Sequence, residues 1–265
     1  MDTQSRNLTI PRGKVFFAKY KAGTQVPGPF RELGNCPEFT LNRESNTLQH
    51  FSSQSGLRVL DEEIVIEATL NGSVTTDDIK SENVAYWFMG EVTNRTTTAL
   101  TGESETFEKV KAGDMYQLGR SDSNPSGHRK VTTVVVNDDA TPTPNTLVAN
   151  TDYTVDLDLG ILEIVEGGGA VGLDITVTYD VTASTREQII ASETQVEGEL
   201  KFVSFNPIGG QGDITMPRAR LAPNGDFNLV NDPDSTAFQT MPLSVSVLKK
   251  GNLALAYRDG RALAS

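Results

Sequence analysis

Apolar and polar residues alternate with period two along most of this chain, in short runs rich in Val, Ile, Thr and Phe that end on Gly, Asn, Asp or Pro. Such runs are the mark of half-buried antiparallel strands. The clearest is Glu62–Thr75 (EEIVIEATLNGSVT), with Ile64, Ile66, Ala68 and Leu70 on one side and Glu63, Val65, Glu67 and Thr69 on the other. Its apolar side is expected to meet a core. Further strands are predicted at Gly13–Tyr20, Pro37–Asn42, Arg95–Leu100, Lys130–Val136, Gly160–Val165, Leu173–Thr182, Gly198–Phe205, Ile214–Leu221, Pro242–Leu248 and Leu253–Tyr257. The fold class is therefore all-β.

One segment reads differently. Over Ile79–Met89, Val84, Trp87 and Phe88 stand at i, i+3 and i+4, and Ala85, Phe88 and Met89 repeat the spacing on an adjoining stripe. Asp77 or Asp78 is placed to cap this helix, Glu82 lies in its first turn and Gly90 follows its end. The aromatic cluster is expected in the core.

Two segments fit neither period. Arg43–Arg58 (RESNTLQHFSSQSGLR) reads as a long polar loop in which Leu48, His50 and Phe51 are stranded, and apolar residues on such a loop point to a partner surface. Asn137–Asn150 (NDDATPTPNTLVAN) has acidic, Pro-rich turn chemistry and opens an elaborated hairpin region that ends in paired strands around Gly167–Gly169. With no internal repeat and no linker-like stretch, the 265 residues are expected to form a single β domain with extensions.

Charge narrows the partners. The chain carries 23 Lys+Arg against 35 Asp+Glu, a net charge of −12, which argues against a surface that grips nucleic-acid phosphates. Cys36 is the only cysteine, so neither an internal disulfide framework nor a Cys-rich zinc site can form. No basic segment leads into an apolar run at the N-terminus, and no apolar stretch approaches the ~20 residues of a membrane-spanning helix. Expression and retention in the cytoplasm are expected, and the sequons at Asn7, Asn71 and Asn94 then carry no weight.

Reactive groups are sparse. His50 and His128 both read as solvated loop residues rather than general bases. Asp152, Asp156 and Asp158 resemble part of a calcium loop but lack a bidentate Glu at loop spacing. The Gly-rich stretch Asn206–Asp213 has no following helix to cradle a phosphate and reads as a loose hairpin turn. Neither a cofactor nor a metal is expected, and the chain reads as a structural protein rather than an enzyme.

Several stretches, in order, resemble the major tail tube proteins of long, non-contractile-tailed bacteriophages. They are RGKVFFAKYKAG, then FRELGNCPEFTLNRESNTLQHFSSQSGLRVLDEE, then DDIKSENVAYWFMG, and finally GELKFVSFNPIGGQGDITMPRARLAPNGDFNLV with FQTMPLSVSVLK. The resemblance covers most of the chain except about 137–183. It implies a β-sandwich or barrel-like domain with one flanking helix, assembled as hexameric rings that stack head to tail into a hollow tube for DNA. It implies further that Arg43–Arg58 is the inter-strand extension that reaches the next ring, with Leu48, His50, Phe51, Leu57 and Arg58 at the contact. The first dozen residues become an arm that orders on assembly. Together with the acidic balance, the resemblance turns Glu63 and Glu67 toward the lumen, where carboxylates would repel passing phosphates. The implied partners are other copies of the chain, a tape measure protein, a tail terminator and baseplate or tail-tip proteins, with DNA in transit and no membrane. The implied location is the virion tail, assembled in the bacterial cytoplasm. A tail terminator or baseplate ring, or a carbohydrate-binding β-sandwich, would share the strand pattern.

Overall fold

The alternation becomes sixteen strands and one short helix among the residues that the computed structural model describes, 8–54 and 56–261. In chain order these are β1 (Gly13–Lys19), β2 (Arg31–Glu32), β3 (Glu38–Ser52), β4 (Val59–Thr76), α1 (Ser81–Trp87), β5 (Glu91–Thr97), β6 (Leu100–Phe107), β7 (Met115–Gln117) and β8 (Val131–Asp138). They continue with β9 (Tyr153–Asp156), β10 (Ile161–Ile164), β11 (Ile175–Val181), β12 (Ser184–Ile190), β13 (Val196–Ser204), β14 (Asp213–Pro223), β15 (Met241–Val247) and β16 (Tyr257–Asp259). The all-β expectation is borne out. Most predicted strands are present within a few residues, but Arg95–Leu100 is divided between β5 and β6, and the last strand lies at Tyr257–Asp259 instead of Leu253–Tyr257.

The chain divides into two compact units, 1–93 with 189–265 and an insert at 94–188. Each has its own apolar cluster. The sequence had pointed to one domain with an elaboration over 137–183, whereas the insert begins at Asn94. Strands β5 and β12 pair with each other and carry the chain out of and back to the first unit.

In the first unit the sheet order is β2-β1-β13-β14-β15-β4-β3, with β16 paired to β14. Among the described residues the path stays open at β2 and β3 and does not close into a barrel. Strand β15 shows the simplest form of the rule, with Met241, Leu243, Val245 and Val247 buried and the residues between them half-buried. Leu243, Val245 and Val247 join Phe17, Leu33, Val74, Tyr86, Leu200, Met216 and Leu221, all buried, in one core. Helix α1 adds Tyr86 to it, with its ring edge-on to Phe17 at 5.4 Å between centroids. The predicted stripes are thus displaced: Tyr86 is the inward aromatic, Trp87 is half-buried and Phe88 is exposed. Neither aspartate caps the helix. Lys80 holds the cap position in extended backbone, and Asn83, buried, donates instead to the carbonyls of Leu33 (2.9 Å) and Asp78 (2.8 Å). The first bond ties the helix to the β2–β3 link, the second ties it to the β4–α1 connection, and together they satisfy a buried amide that would otherwise be costly.

The insert stacks its strands differently. Sheets β7-β10-β9 and β6-β11-β8 share one cluster that includes Leu118, Val136, Leu162, Ile164, Ile175, Val177 and Tyr179. The strands on either side of Gly167–Gly169 therefore do not pair with each other, as the sequence had suggested, but belong to different sheets. The glycines serve a close crossing. Gly167 has φ +76°, and a Cβ on Gly168 would stand 2.7 Å from Asp152 Cα, so a side chain there would force the crossing apart. The Pro-rich turn after β8 is closed by Asp138, whose Oδ1 accepts from the Asn145 backbone at 2.6 Å.

Candidate assembly surface

The feature that stands apart from both cores is the outer half of the β3–β4 hairpin. Strand β15 pairs with β4 only from Thr76 as far as Leu70, opposite Val247. Beyond that point, among the described residues, only β3 is paired with β4, through Ser45↔Ala68 out to Ser52↔Val59. A two-stranded ribbon therefore leaves the sheet, reaching roughly 30 Å at about 3.3 Å per residue.

The sequence had read Arg43–Arg58 as a loop. Strand β3 instead runs to Ser52 and β4 starts at Val59, leaving a short turn between them. Asn, Ser and Gln obscure the strand because a ribbon wet on both faces needs no apolar alternation. The second correction concerns β4. Ile64, Ile66 and Ala68 do not meet a core: every residue from Val59 to Ala68 is exposed, Ile64 at 50% and Ile66 at 59%. Leu48, directly opposite Ile64, is 60% exposed, and the two form a bare apolar pair on one face.

Register also separates the two carboxylates expected to share a face. Glu67 stands opposite Asn46, but a bulge follows, and Glu63 stands opposite Gln49. Asn46 and Gln49 are three residues apart on a strand with no extra residue there, so they point to opposite faces, and Glu67 and Glu63 follow them. The hydrogen bonds agree. Glu63 Oε1 accepts from Gln49 Nε2 (3.1 Å) and Thr47 Oγ1 (2.8 Å), which holds its carboxyl below the ordinary 4.5. On the opposite face His50 Nδ1 lies 2.5 Å from Asp61 Oδ1. Nearer the tip the Arg58 guanidinium lies 3.9 Å above the Phe51 ring, and Leu57 beside it is exposed. The five residues expected at a contact thus fall on one projecting element, with Val59, Leu60, Ile64, Val65 and Ile66 as additions that the sequence had not assigned to it.

Elsewhere the reactive groups are structurally engaged. His128 is half-buried rather than solvated, with Nδ1 3.3 Å from the Tyr179 hydroxyl, which in turn donates to Glu105 Oε1. Burial and that carboxylate raise the Tyr179 pKa, keeping the phenol protonated. Burial pushes the Cys36 thiol up to about 11, so little thiolate is present at neutral pH. Asp152 accepts from the backbone of Val148 (2.7 Å) and Gly169 (2.6 Å), and Asp156 from Leu159 (2.8 Å); both close turns. Among the described residues no group of three or more His, Cys, Asp or Glu side chains is placed to hold a metal, and no helix is long and apolar enough to cross a membrane. Of the expected N-terminal arm, residues 1–7 lie outside the described residues; Ile10 bridges to Ile208 with a 3.1 Å backbone bond.

A family model described as "Protein of unknown function UCP028589" matches residues 8–254, and the chain belongs to that family. No curated protein matches it.

Proposed function

We propose that the protein is a non-catalytic structural subunit that assembles with copies of itself into hexameric rings and a phage tail tube, a conduit for DNA. The observation that carries the reading is the β3–β4 ribbon, which projects from its sheet with Leu48 and Ile64 bare. Isolated two-stranded ribbons are marginal in water, and exposed apolar patches on a soluble chain mark interaction sites. Burying one Leu or Ile at a contact contributes about 1.5–3 kcal/mol, and a repeating assembly gains it at every copy. The net charge of −12 suits a channel that must let phosphates slide. The resemblance along four stretches of the chain supplies the tube, the tape measure and terminator partners and the virion location. A channel wall built from one face of the ribbon would present Glu63 or Glu67, not both.

Negative-stain microscopy of the concentrated purified chain tests this. Hollow tubes or six-fold rings are expected, and a persistent monomer at high concentration would overturn the reading.

A further inference from the structure

On the first unit, the connection between β14 and β15 (residues 224–240) forms a closed peg. Phe227 anchors its base against Trp87, with ring centroids 5.5 Å apart. Gln239 Nε2 donates to the Asn228 carbonyl at the neck, Asn231 Nδ2 to the Ala237 carbonyl (3.2 Å) nearer the tip, and Asp232 Oδ1 accepts from the Asp234 backbone (2.9 Å). These bonds hold Leu229, Val230 and Phe238 outward at 77%, 89% and 90% exposure, Val230 and Phe238 being the most exposed large apolar side chains among the described residues. The peg carries Asp226, Asp232 and Asp234 and no Lys, Arg or His.

The same unit holds a cavity of about 1010 Å³ whose lining includes Tyr20, Ala22, Ile190 and Val196 together with Lys19 and Lys21 and the carboxylates Glu91 and Glu197. Lys19 pairs with Glu91 at 3.0 Å, whereas Lys21 has no carboxylate partner among the described residues, and Lys250 Nζ lies 4.8 Å over the Tyr20 ring. The peg's own exposure shows that it does not fill the cavity of its own chain.

We infer that the 224–240 peg of one copy seats in the Tyr20–Ile190 cavity of a second copy. An acidic loop with apolar flanks meets a cavity that mixes apolar side chains with Lys21, while its two carboxylates, Glu91 and Glu197, are already paired with Lys19 and Arg218, so charge and hydrophobic burial select the same occupant. Peg and cavity are different surfaces of one chain, so a one-way contact is heterologous and closes into a ring or extends into a filament, whereas reciprocal seating of two pegs would give a two-fold dimer. The peg's internal hydrogen bonds order it before binding, which lowers the entropic cost of docking.

The inference rests on the assembly reading above, and the two fail separately in one experiment. In a Cys36→Ser background, Phe238→Cys copies are mixed with Ala22→Cys copies at a concentration where the unaltered chain forms rings or tubes, and treated with a short bismaleimide. Cross-linked pairs are expected from the mixture and from neither variant alone. In parallel, Leu229→Asp with Phe238→Asp, at positions too exposed to matter for folding, should weaken association at least tenfold by sedimentation. If the unaltered chain assembles, the mixture yields no cross-link and the aspartate variant assembles normally, the peg contact is overturned and assembly stands. If the unaltered chain stays monomeric, both fall.

Discussion

Near its base, from Glu38 to Leu41 and from Leu70 to Thr76, the β3–β4 hairpin belongs to a wide sheet, with β15 on its far side and Phe39, Leu41, Leu70 and Val74 packed on the core. Farther out the same two strands, still paired, have no third strand among the described residues, and Leu48 and Ile64 are exposed. Backbone pairing is the same in both halves, so pairing alone does not decide what the apolar residues are for. The neighbours do. At the base apolar side chains hold this chain together; at the tip they have no such neighbours among the described residues, and the proposed contact with another copy would supply them.

The comparison breaks most sharply through charge. Val74→Asp places an unpaired carboxylate at a fully buried position and should cost at least ~3 kcal/mol of folding stability, measured by urea unfolding with Trp87, the sole tryptophan, as the fluorescent probe. Leu48→Asp with Ile64→Asp introduces the same chemistry at the tip. There the monomer should lose less than about 1 kcal/mol, while association weakens at least tenfold by sedimentation. If the tip variant unfolds the monomer as the base variant does, the two halves are not distinct.

Smaller effects sharpen the boundary. Arg58→Ala removes the cation over Phe51, an exposed contact that contributes about 0.5–1 kcal/mol, and amide exchange should quicken near the turn while the amides of 70–76 are unchanged. Acid acts through Glu63. Hydrogen bonds from Gln49 and Thr47 depress its folded pKa below 4.5, so their support is present above that value and is lost as pH falls through the folded pKa. Amides around Thr47 and Gln49 should therefore exchange faster as pH falls through the lowered folded pKa of Glu63, after correction for intrinsic rates, and Glu63→Gln should flatten that dependence.

Period-two alternation found the main strands of the first core and β8, β10 and β11 of the insert, because there burial on one face imposes the pattern, but it missed β2, β7, β9, β12 and nearly all of β6. It misread the ribbon twice for the same reason. Between Arg43 and Ser52 no face is buried, so polar residues hid a strand; between Glu62 and Ala68 the alternation was present, but the implied core was not. The bulge opposite Asn46 and Thr47, which sends Glu63 and Glu67 to different faces, follows from register with a partner strand and has no local sequence mark. The Tyr179–Glu105 link joins residues 74 apart and was equally invisible, as was the boundary at Asn94, where β5 runs on without a linker-like composition.

The central claim is that the outer ribbon is a surface for other copies of this chain. Amide hydrogen exchange of residues 45–66, compared between dilute monomer and concentrated assembled protein, tests it directly. The account predicts strong added protection there, with residues 70–76 protected equally in both states. Ring or tube formation with no change in exchange over 45–66 would contradict it.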